Sequence, residues 1–517
     1  MKKWTHVFAS SVLTISLLAG CSAAPTEQNK PSSPQEPTTN QDNKTEPAAS
    51  GKDLKFSMLT ENHPTWPYDP EWPIWQMLKE QTGVSLEVQT AQGNLGESLN
   101  LAIASNSMPD LMFMDKLASA NKYGQQGALV NILDHLDSMP HLQAWSEKFP
   151  ESFQQNIASD GNMYMFPNEG FGETNRMIWL YREDIFAKHE LAVPTNYDEL
   201  YATLQELKRL YPDSTPLSFR HGIRILRNMA PNFGIHSEFY YDSDAKQWRY
   251  GSTEPEMKAL VEALHTFYKE GLISPEWLTM NTKQWQDIMS TDLSFITIDY
   301  ISRVDFFNDA LREENPDFSI QFMAPPAGTP GGTQQNPNLQ YLETGLTVAS
   351  TSKQIDDIMT FMDFFYSEEG RNLASWGKEG VTYAVENGQK KFLPEFTDLT
   401  DLRVKTGLAS SGTYAWLDFD AHLSMGSEEL QHAFAEAAKY DMPRQPMPAF
   451  NEQESELLSI KGENIRKARE EGLANFIYGV RDLAEWDKFV SEINSLGLDE
   501  LLQTYTAAHE RMVASAN

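Results

Sequence analysis

The segment Glu61–Tyr68, ENHPTWPY, places one aromatic ring close to several hydrogen-bonding side chains. Trp66 offers a flat apolar face, and Asn62 and His63 offer polar atoms a few positions earlier. A sugar needs both kinds of group, because its hydroxyls surround an apolar ring face. We therefore predict that Trp66 stacks on a sugar and that Asn62 and His63 contact it. The alternative is that Trp66 packs inside the protein.

Two arginines follow apolar runs later in the chain. Arg220 comes directly after one such run, and Tyr300 and Arg303 follow a predicted strand. A guanidinium pairs with a carboxylate through two parallel hydrogen bonds, so both arginines suit an acidic sugar. An ordinary ion pair with one of the many acidic residues is the alternative. Trp416 and Trp376 are further aromatic candidates, although core packing is favoured for Trp376.

Sequence motifs of catalysis are missing from the chain, which has no G-x-S-x-G, H-E-x-x-H or P-loop pattern. We therefore predict a protein that is not an enzyme and that has no cofactor and no metal. A pair of carboxylates for glycoside hydrolysis is the alternative, given 73 Asp and Glu residues. Asp242-x-Asp244 is a fragment of a calcium-loop pattern without its Gly and final Glu, so a tight turn is favoured, and calcium binding stays open.

The single cysteine, Cys21, ends a segment typical of a secretory signal: two lysines, the apolar stretch Val7–Leu18 and two small residues. Leu-Ala-Gly-Cys resembles the bacterial lipobox, whose cysteine carries a diacylglyceryl group. We predict a signal peptide at 1–20, lipidation of Cys21, and a disordered linker up to residue 52 that is rich in Pro, Ser and Thr. The alternative is an ordinary signal peptide that is cut nearby.

The charge balance excludes two classes of partner. A formal net charge of −32 argues against nucleic acid, whose phosphates require Lys and Arg, and against binding flat on an anionic bilayer. Solubility after export accounts for most of these charges. We expect contact with the membrane only through the lipid anchor.

The elements that position the candidate residues alternate between strand and helix after the linker. The patterns predict strands at Leu54–Leu59, Val84–Val88 and Asp110–Met114, and helices at Pro70–Thr82 and Leu95–Ala104. This βαβαβ order indicates an α/β fold with a parallel sheet. Ligands bind beyond the carboxyl ends of such strands, here near Glu61, Thr90 and Asp115.

A second α/β unit begins with a predicted strand at Met177–Arg182. Thr195 and Asp198 form a capping-box pattern that predicts the start of the next helix at Thr195. Further segments are predicted as a helix at Glu256–Tyr268 and strands at Phe295–Ile298 and Gly345–Ala349, before a mostly helical C-terminus. With some 465 residues after the linker, two lobes are expected.

Six strings in order resemble the extracellular solute-binding proteins of family 1, the lipoproteins that deliver oligosaccharides to bacterial ABC importers in Firmicutes. They are PDLMFMDKLASANKYGQQGALVNILDHLD (109–137), GNMYMFP (161–167), WLYREDIFAKHELAVPTNYDELYATLQELK (179–208), HTFYKEGLISPEW (265–277), WGKEGVTY (376–383) and YGVRDLAEWDKFVSEINSLGLDELLQTYTAAHERM (478–512). The resemblance implies an α/β, two-lobed periplasmic-binding-protein-like (type II) clamshell with additional C-terminal helices. Lobe 1 would comprise 53–173 and 344–400, and lobe 2 would comprise 174–343 and 401–517. The implied crossings fall near Glu173–Met177, Glu343–Thr347 and Leu402–Gly412.

The same resemblance implies contacts from Asp115 and Lys116 in the loop after the "PDL" strand, although Asp115 is also a candidate helix cap. It places Glu173 at the first crossing as a further ligand-binding candidate, and it places Arg220, Tyr300 and Arg303 at the cleft. The implied function is capture of an oligosaccharide at the cell surface and delivery to the permease subunits of an importer, by a monomer. A lipid-anchored polysaccharide hydrolase or lyase, or a peptide receptor on the same scaffold, is the alternative.

Overall fold

The first sheet is built from strands on both sides of a long insertion, with the order β10-β3-β1-β2. The computed structural model describes residues 53–168, 176–337, 343–409 and 418–515. β1 pairs in parallel with both β2 and β3, as predicted, and β10 adds an antiparallel edge strand next to β3. The elements up to residue 155 are β1 (Leu54–Thr60), α1 (Pro73–Thr82), β2 (Val84–Thr90), α2 (Leu95–Ala104), β3 (Leu111–Met114), α3 (Leu117–Gln125), α4 (Pro140–Lys148) and α5 (Pro150–Gln155).

The second sheet has the order β5-β8-β4-β9, in which β5 and β8 are parallel and β4 is antiparallel to both of its neighbours. A separate hairpin of two strands, β6 and β7, lies outside this sheet. The elements are β4 (Met177–Arg182), α6 (Glu183–Lys188), α7 (Tyr197–Leu210), β5 (Leu217–Ser218), α8 (Leu226–Met229), β6 (Phe239–Asp242), β7 (Gln247–Tyr250), α9 (Pro255–Lys269), α10 (Thr282–Met289), β8 (Ile296–Tyr300), α11 (Arg303–Leu311) and β9 (Ile320–Phe322).

The chain then returns to the first sheet through β10 and ends in helices. The elements are β10 (Gly345–Val348), α12 (Ile355–Phe364), α13 (Glu368–Trp376), β11 (Tyr383–Glu386), β12 (Gln389–Phe392), α14 (Leu399–Thr406), α15 (Phe419–Leu423), α16 (Glu428–Ala437), α17 (Glu452–Leu457), α18 (Glu463–Tyr478), α19 (Trp486–Ser495) and α20 (Leu498–Ser515). Short 3₁₀ helices include Ile132–Ser138, Gly222–Ile225 and Leu483–Glu485.

The two sheets belong to different hydrophobic cores. The first core takes its buried side chains from 56–166 and again from 346–408. The second sheet is covered on both faces, because alternate side chains of a strand point in opposite directions. Trp179 therefore packs in the core with α7, α9 and α18, whereas Ile178 and Leu180 pack against α11 and α16 on the other face.

Local signals fix several helix ends. Pro73 opens α1, and Gly83 ends it with a φ of 73°, a left-handed conformation that glycine adopts without strain. The predicted cap of α7 is wrong by one residue. Asn196 is the N-cap, and its side chain accepts a hydrogen bond from the backbone N–H of Glu199. The Thr195 hydroxyl instead donates to the Glu199 carboxylate. Within the described ranges, no helix combines the length and apolar composition needed to cross a membrane.

Candidate functional site

The carboxyl end of β8 and the residues after β5 form one edge of the second sheet. Because Leu217 of β5 pairs with Ile296 of β8 in parallel, the two strands end at the same edge of the sheet. Arg220 lies just after β5 at this edge, and Tyr300 is the last residue of β8. β4 runs in the opposite direction and begins at this edge, where Met177 pairs with Tyr300. The topology therefore brings residues that are distant in sequence to one place.

Asp299 lies at the centre of this edge and is completely buried. Arg220 donates two hydrogen bonds to its carboxylate, from Nε at 2.7 Å and from Nη2 at 2.9 Å. Arg303 donates a third from Nε at 3.0 Å, and the Tyr300 backbone N–H a fourth at 2.9 Å. The Nε2 atom of His221 lies 3.5 Å from the same carboxylate. The predicted alternative of an ion pair is thus what the structure contains, with one acid shared by two arginines.

The charges of this group do not cancel. Burial alone would raise the pKa of Asp299, but interactions with His221, Arg220 and Arg303 outweigh burial and lower the pKa to about 2. The acid is therefore ionised at neutral pH, and two guanidinium groups share one negative charge. Among the described residues Arg303 donates only through Nε, so its two Nη atoms are available to another acceptor. A carboxylate ligand matches such a fork.

Aromatic rings hold the two guanidinium groups in place. The Arg220 and Arg303 guanidinium carbons lie 5.2 and 5.5 Å from the ring of Trp285, within the range of cation–π contacts. Trp285 is itself buried and donates from Nε1 to the Thr297 hydroxyl at 3.0 Å. Arg303 also lies 4.8 Å from Phe306, whose side chain is 46% exposed. An exposed aromatic ring next to a guanidinium suits the mixed surface of a sugar.

The loop after β1 carries a second group of rings. His63 and Trp66 stack with their ring centres 3.5 Å apart and their planes within 5° of parallel. The Arg403 guanidinium lies 4.4 Å from the Trp66 ring. Burial lowers the pKa of His63, and Arg403 adds to this effect while Glu61 opposes it. Trp66 is half-buried, and one of its faces is covered by His63, so a sugar stacks on that face only if His63 moves.

Asn62 shapes this loop, because its Oδ1 accepts a hydrogen bond from the Tyr68 backbone N–H at 3.0 Å. Its amide nitrogen has no partner among the described residues. The predicted roles of Asn62, His63 and Trp66 in binding stay predictions.

The residues after β3 lie beside the start of β10, since Met114 pairs with Gly345. Asp115 and Lys116 are both exposed. The N-cap of α3 is Lys116, not Asp115, so the alternative of Asp115 as the helix cap is wrong. Burial raises the pKa of Glu343, and the nearby Lys116 opposes this rise. Glu343 is therefore a half-buried carboxylate at the sheet edge. The sequence identifies it only as the start of the second crossing between lobes, not as a candidate site residue.

The structure thus brings together Arg220, Tyr300 and Arg303 in one group and His63 and Trp66 in another. It buries Trp376, which stacks on Phe392 with ring centres 4.9 Å apart, as the packing interpretation predicts. Cys21, Glu173 and Trp416 lie outside the described residues.

Sequence reasoning missed Asp299, Trp285 and Arg403. A single acid within the apolar run FITIDY is a signal that would have identified Asp299, because a buried charge requires a partner. Arg403 carries no comparable signal, since it reaches Trp66 only through the tertiary fold.

Metal ligands do not cluster within the described ranges, where no three His, Cys, Asp or Glu side chains are placed to hold an ion. Asp242 closes the β6–β7 hairpin instead, because its Oδ1 accepts hydrogen bonds from the backbone N–H groups of Asp244 at 3.1 Å and Ala245 at 2.9 Å. The tight turn favoured from the sequence is therefore confirmed.

Comparisons with known proteins agree on one kind of relative. A family model described as bacterial extracellular solute-binding protein matches residues 73–372, more than half of the chain. Lipoprotein LipO of Bacillus subtilis (strain 168) is 23% identical over 407 residues, which cover 75% of this chain and 74% of LipO. The polygalacturonan/rhamnogalacturonan-binding protein YtcQ of the same organism is 20% identical over 457 residues, covering 84% of this chain and 87% of YtcQ.

Solved structures show the fold. The crystal structure of the alginate-binding protein AlgQ2 without calcium ion superposes with a TM-score of 0.72 and 24% identity, over 89% of this chain and 99% of AlgQ2. An HMO-binding solute-binding protein associated with an ABC transporter, from Bifidobacterium longum infantis, gives a TM-score of 0.74 and 16% identity over 89% and 99% of the two chains. The predicted α/β fold of type II periplasmic binding proteins is therefore confirmed.

Proposed function

Because the chain belongs to the bacterial extracellular solute-binding proteins, we propose that it captures an oligosaccharide between its two sheets and delivers it to the permease of an ABC importer. The observation that carries this proposal is the edge of the second sheet. There, arginines, aromatic rings and a fixed buried acid form a polar site on a rigid strand end. In α/β sheets this is the end at which ligands bind.

The ligand that fits this edge best is an oligosaccharide with carboxylate groups, such as a uronate. Two guanidinium groups share a single acid, and the Nη atoms of Arg303 have no partner among the described residues. The relatives named for polygalacturonan and alginate binding, which are both acidic polysaccharides, support the same class. Phe306 beside Arg303 adds an apolar surface for the sugar ring.

Two lobes that close on the ligand are part of the proposal, with lobe 1 at 53–173 and 344–400 and lobe 2 at 174–343 and 401–517. The separate cores support such a division, because the first core stops at residue 166 and resumes at 346. That core also includes Leu402 and Leu408, which favours a third crossing at the C-terminal end of Leu402–Gly412. Hinges of a few connecting residues allow closure.

The anchor is proposed from the sequence. Cys21, lipidated after removal of residues 1–20, would hold the protein on the outer face of the cell membrane, and the linker to residue 52 would let the folded part move above it. LipO, which is named a lipoprotein, supports this arrangement. The protein would work as a monomer that hands an unaltered ligand to the permease subunits.

Isothermal titration calorimetry of the purified protein tests the proposal with three series: oligogalacturonides, alginate oligomers and neutral fructo-oligosaccharides. We expect saturable binding of an acidic series and no products by chromatography after prolonged incubation. The substitution Arg303→Gln should weaken binding of the acidic series by roughly tenfold or more, because it removes a charge-assisted fork. Arg312→Gln is the matched control, since Arg312 comes directly after the same helix and pairs with Glu429 instead of Asp299.

Each other outcome would reject part of the proposal. Steady production of shorter sugars would indicate the hydrolase or lyase. Binding of peptides and of no sugar series would indicate the peptide receptor. Tight binding of a neutral series alone would keep the transport function but reject the acidic ligand.

A further inference from the structure

A cavity of about 680 Å³ opens beside the candidate site in the second half of the chain. Part of its lining comes from Gly222, Ile223 and Arg224, which follow directly after Arg220 and His221, and another part comes from α18. Its volume falls within the roughly 300–1,000 Å³ of small-molecule sites. None of its residues was singled out as a ligand contact from the sequence.

Gly222 gives the cavity its shape. Its φ is +54°, and a Cβ added at this position would lie 2.8 Å from the backbone oxygen of Leu278. A larger residue would therefore push the turn away from Leu278, which also lines the cavity. The positive φ and the close approach together are compatible only with glycine.

The polar groups in the walls are only partly used by the protein. Arg466 donates a hydrogen bond of 2.6 Å to Glu470 and two more to Glu463, so its guanidinium is fully engaged within α18. By contrast, the side chains of Arg224 and Glu471 are exposed and have no hydrogen-bonding or ionic partner among the described residues. The amide of Asn475, which also lines the cavity, has no side-chain partner there either. Guanidinium, carboxylate and amide groups can each form two hydrogen bonds to neighbouring sugar hydroxyls.

The remaining wall is aromatic. Tyr478 is half-buried, and its ring packs edge-on against Tyr268 with centres 4.9 Å apart. Ile223 and Leu278 complete the apolar part of the lining. The cavity thus combines an apolar surface with a few fixed polar groups, as ligand sites for polyhydroxylated molecules do.

His221 connects this cavity to the site at Asp299. Its ring lines the cavity, while its Nε2 lies 3.5 Å from the Asp299 carboxylate and its ring meets Tyr300 edge-on at 5.9 Å. His221 is therefore the residue through which the cavity and the group at Asp299 adjoin.

We propose that this cavity is a second subsite, which binds the sugar units that follow the unit held at Arg303. This inference rests on the proposed function and adds to it a preference for long chains. Arg224, Glu471 and Asn475 would bind hydroxyl or carboxylate groups of those units, with Tyr478 as the apolar wall. The occupant is thus the far end of the same oligosaccharide rather than a separate metabolite.

Chain length provides the test. The full chain is titrated with oligomers of two, three, four and six units from the three series named above. Affinities at the four lengths are then compared within the series that binds. In the wild type, affinity should rise with length by roughly tenfold or more. The double variant Arg224→Gln/Glu471→Gln should bind the two-unit oligomer like the wild type and lose most of this gain for the longer oligomers. Neither side chain has a partner among the described residues, so the variant should fold.

The control is Glu485→Gln/Lys488→Gln, which removes one charge of each sign from an exposed pair outside the cavity. It should match the wild type at every length. An affinity independent of length, or an equal loss at all lengths in the cavity variant, would overturn the second subsite and leave the proposed function intact. Failure of all three series to bind would reject both.

Discussion

The cost of removing Arg220 follows from the burial of its partner. Arg220→Gln leaves the fully buried Asp299 carboxylate with Arg303 as its one remaining arginine partner among the described residues. Breaking a buried ion pair from one side typically costs about 3–5 kcal/mol, and here it removes both hydrogen bonds that Arg220 donates to the buried carboxylate. Since Arg303 and the Tyr300 N–H still donate to Asp299, we expect a loss near the lower end, about 3 kcal/mol in the free energy of unfolding.

A second pair in which an arginine donates to both carboxylate oxygens provides the control. Arg312 donates to both oxygens of Glu429 at 2.8 and 2.9 Å, but the two side chains are 35% and 36% exposed. Arg312→Gln should therefore cost at most about 1 kcal/mol. Urea denaturation followed by tryptophan fluorescence measures both losses. The double variant Arg220→Gln/Asp299→Asn should be no more stable than Arg220→Gln alone, because it leaves the Arg303 guanidinium without its acid. Equal losses for the two single variants would refute the reasoning.

Three further predictions concern other parts of the chain. Trp66→Ala should weaken sugar binding about tenfold in calorimetry and should lower the unfolding free energy by about 1 kcal/mol, because the contacts of the ring with His63 and Arg403 are lost. Burial lowers the pKa of His236 to about 4, so the neutral side chain favours the folded state above its ordinary pKa of 6.5, and this contribution is lost as the pH falls towards 4. The unfolding free energy of His236→Gln, measured in urea, should therefore fall less than that of the wild type between these pH values, by roughly 3 kcal/mol. Gly407→Ala should lower the melting temperature more than Gly380→Ala, because both have positive φ but only the Cβ at 407 would meet the Trp72 ring, at 2.5 Å.

The sequence predicted elements well wherever their signals are local. The bounds of α2 and β4 agree with the predicted ranges Leu95–Ala104 and Met177–Arg182, since hydrophobic spacing and flanking turns specify them. The start of α7 was misplaced by one residue because Thr195 and Asn196 are both good caps and only the backbone geometry decides between them.

The candidate site was predicted in part for the same reason. Arg220 and Arg303 were identified because each follows an apolar segment. The segments form the parallel strands β5 and β8, whose carboxyl ends meet at one edge of the sheet. Their shared partner depends on strand register, which places Asp299 between them. Register is a property of the assembled sheet and not of any one segment. The stack of Arg403 on Trp66 likewise joins α14 to the loop after β1, and no local pattern connects the two.

The net charge and the charge of the site act over different distances, and this difference reconciles an acidic protein with the acidic ligand proposed for it. A net charge of −32 repels an anionic sugar at long range, but physiological salt screens that repulsion beyond roughly 8 Å. At contact, the largely buried guanidinium groups beside Asp299 are shielded much less, since water and ions have little access to them. The ligand is then selected by the few charges it touches. The many acids elsewhere mainly keep the protein soluble and set how fast the ligand arrives.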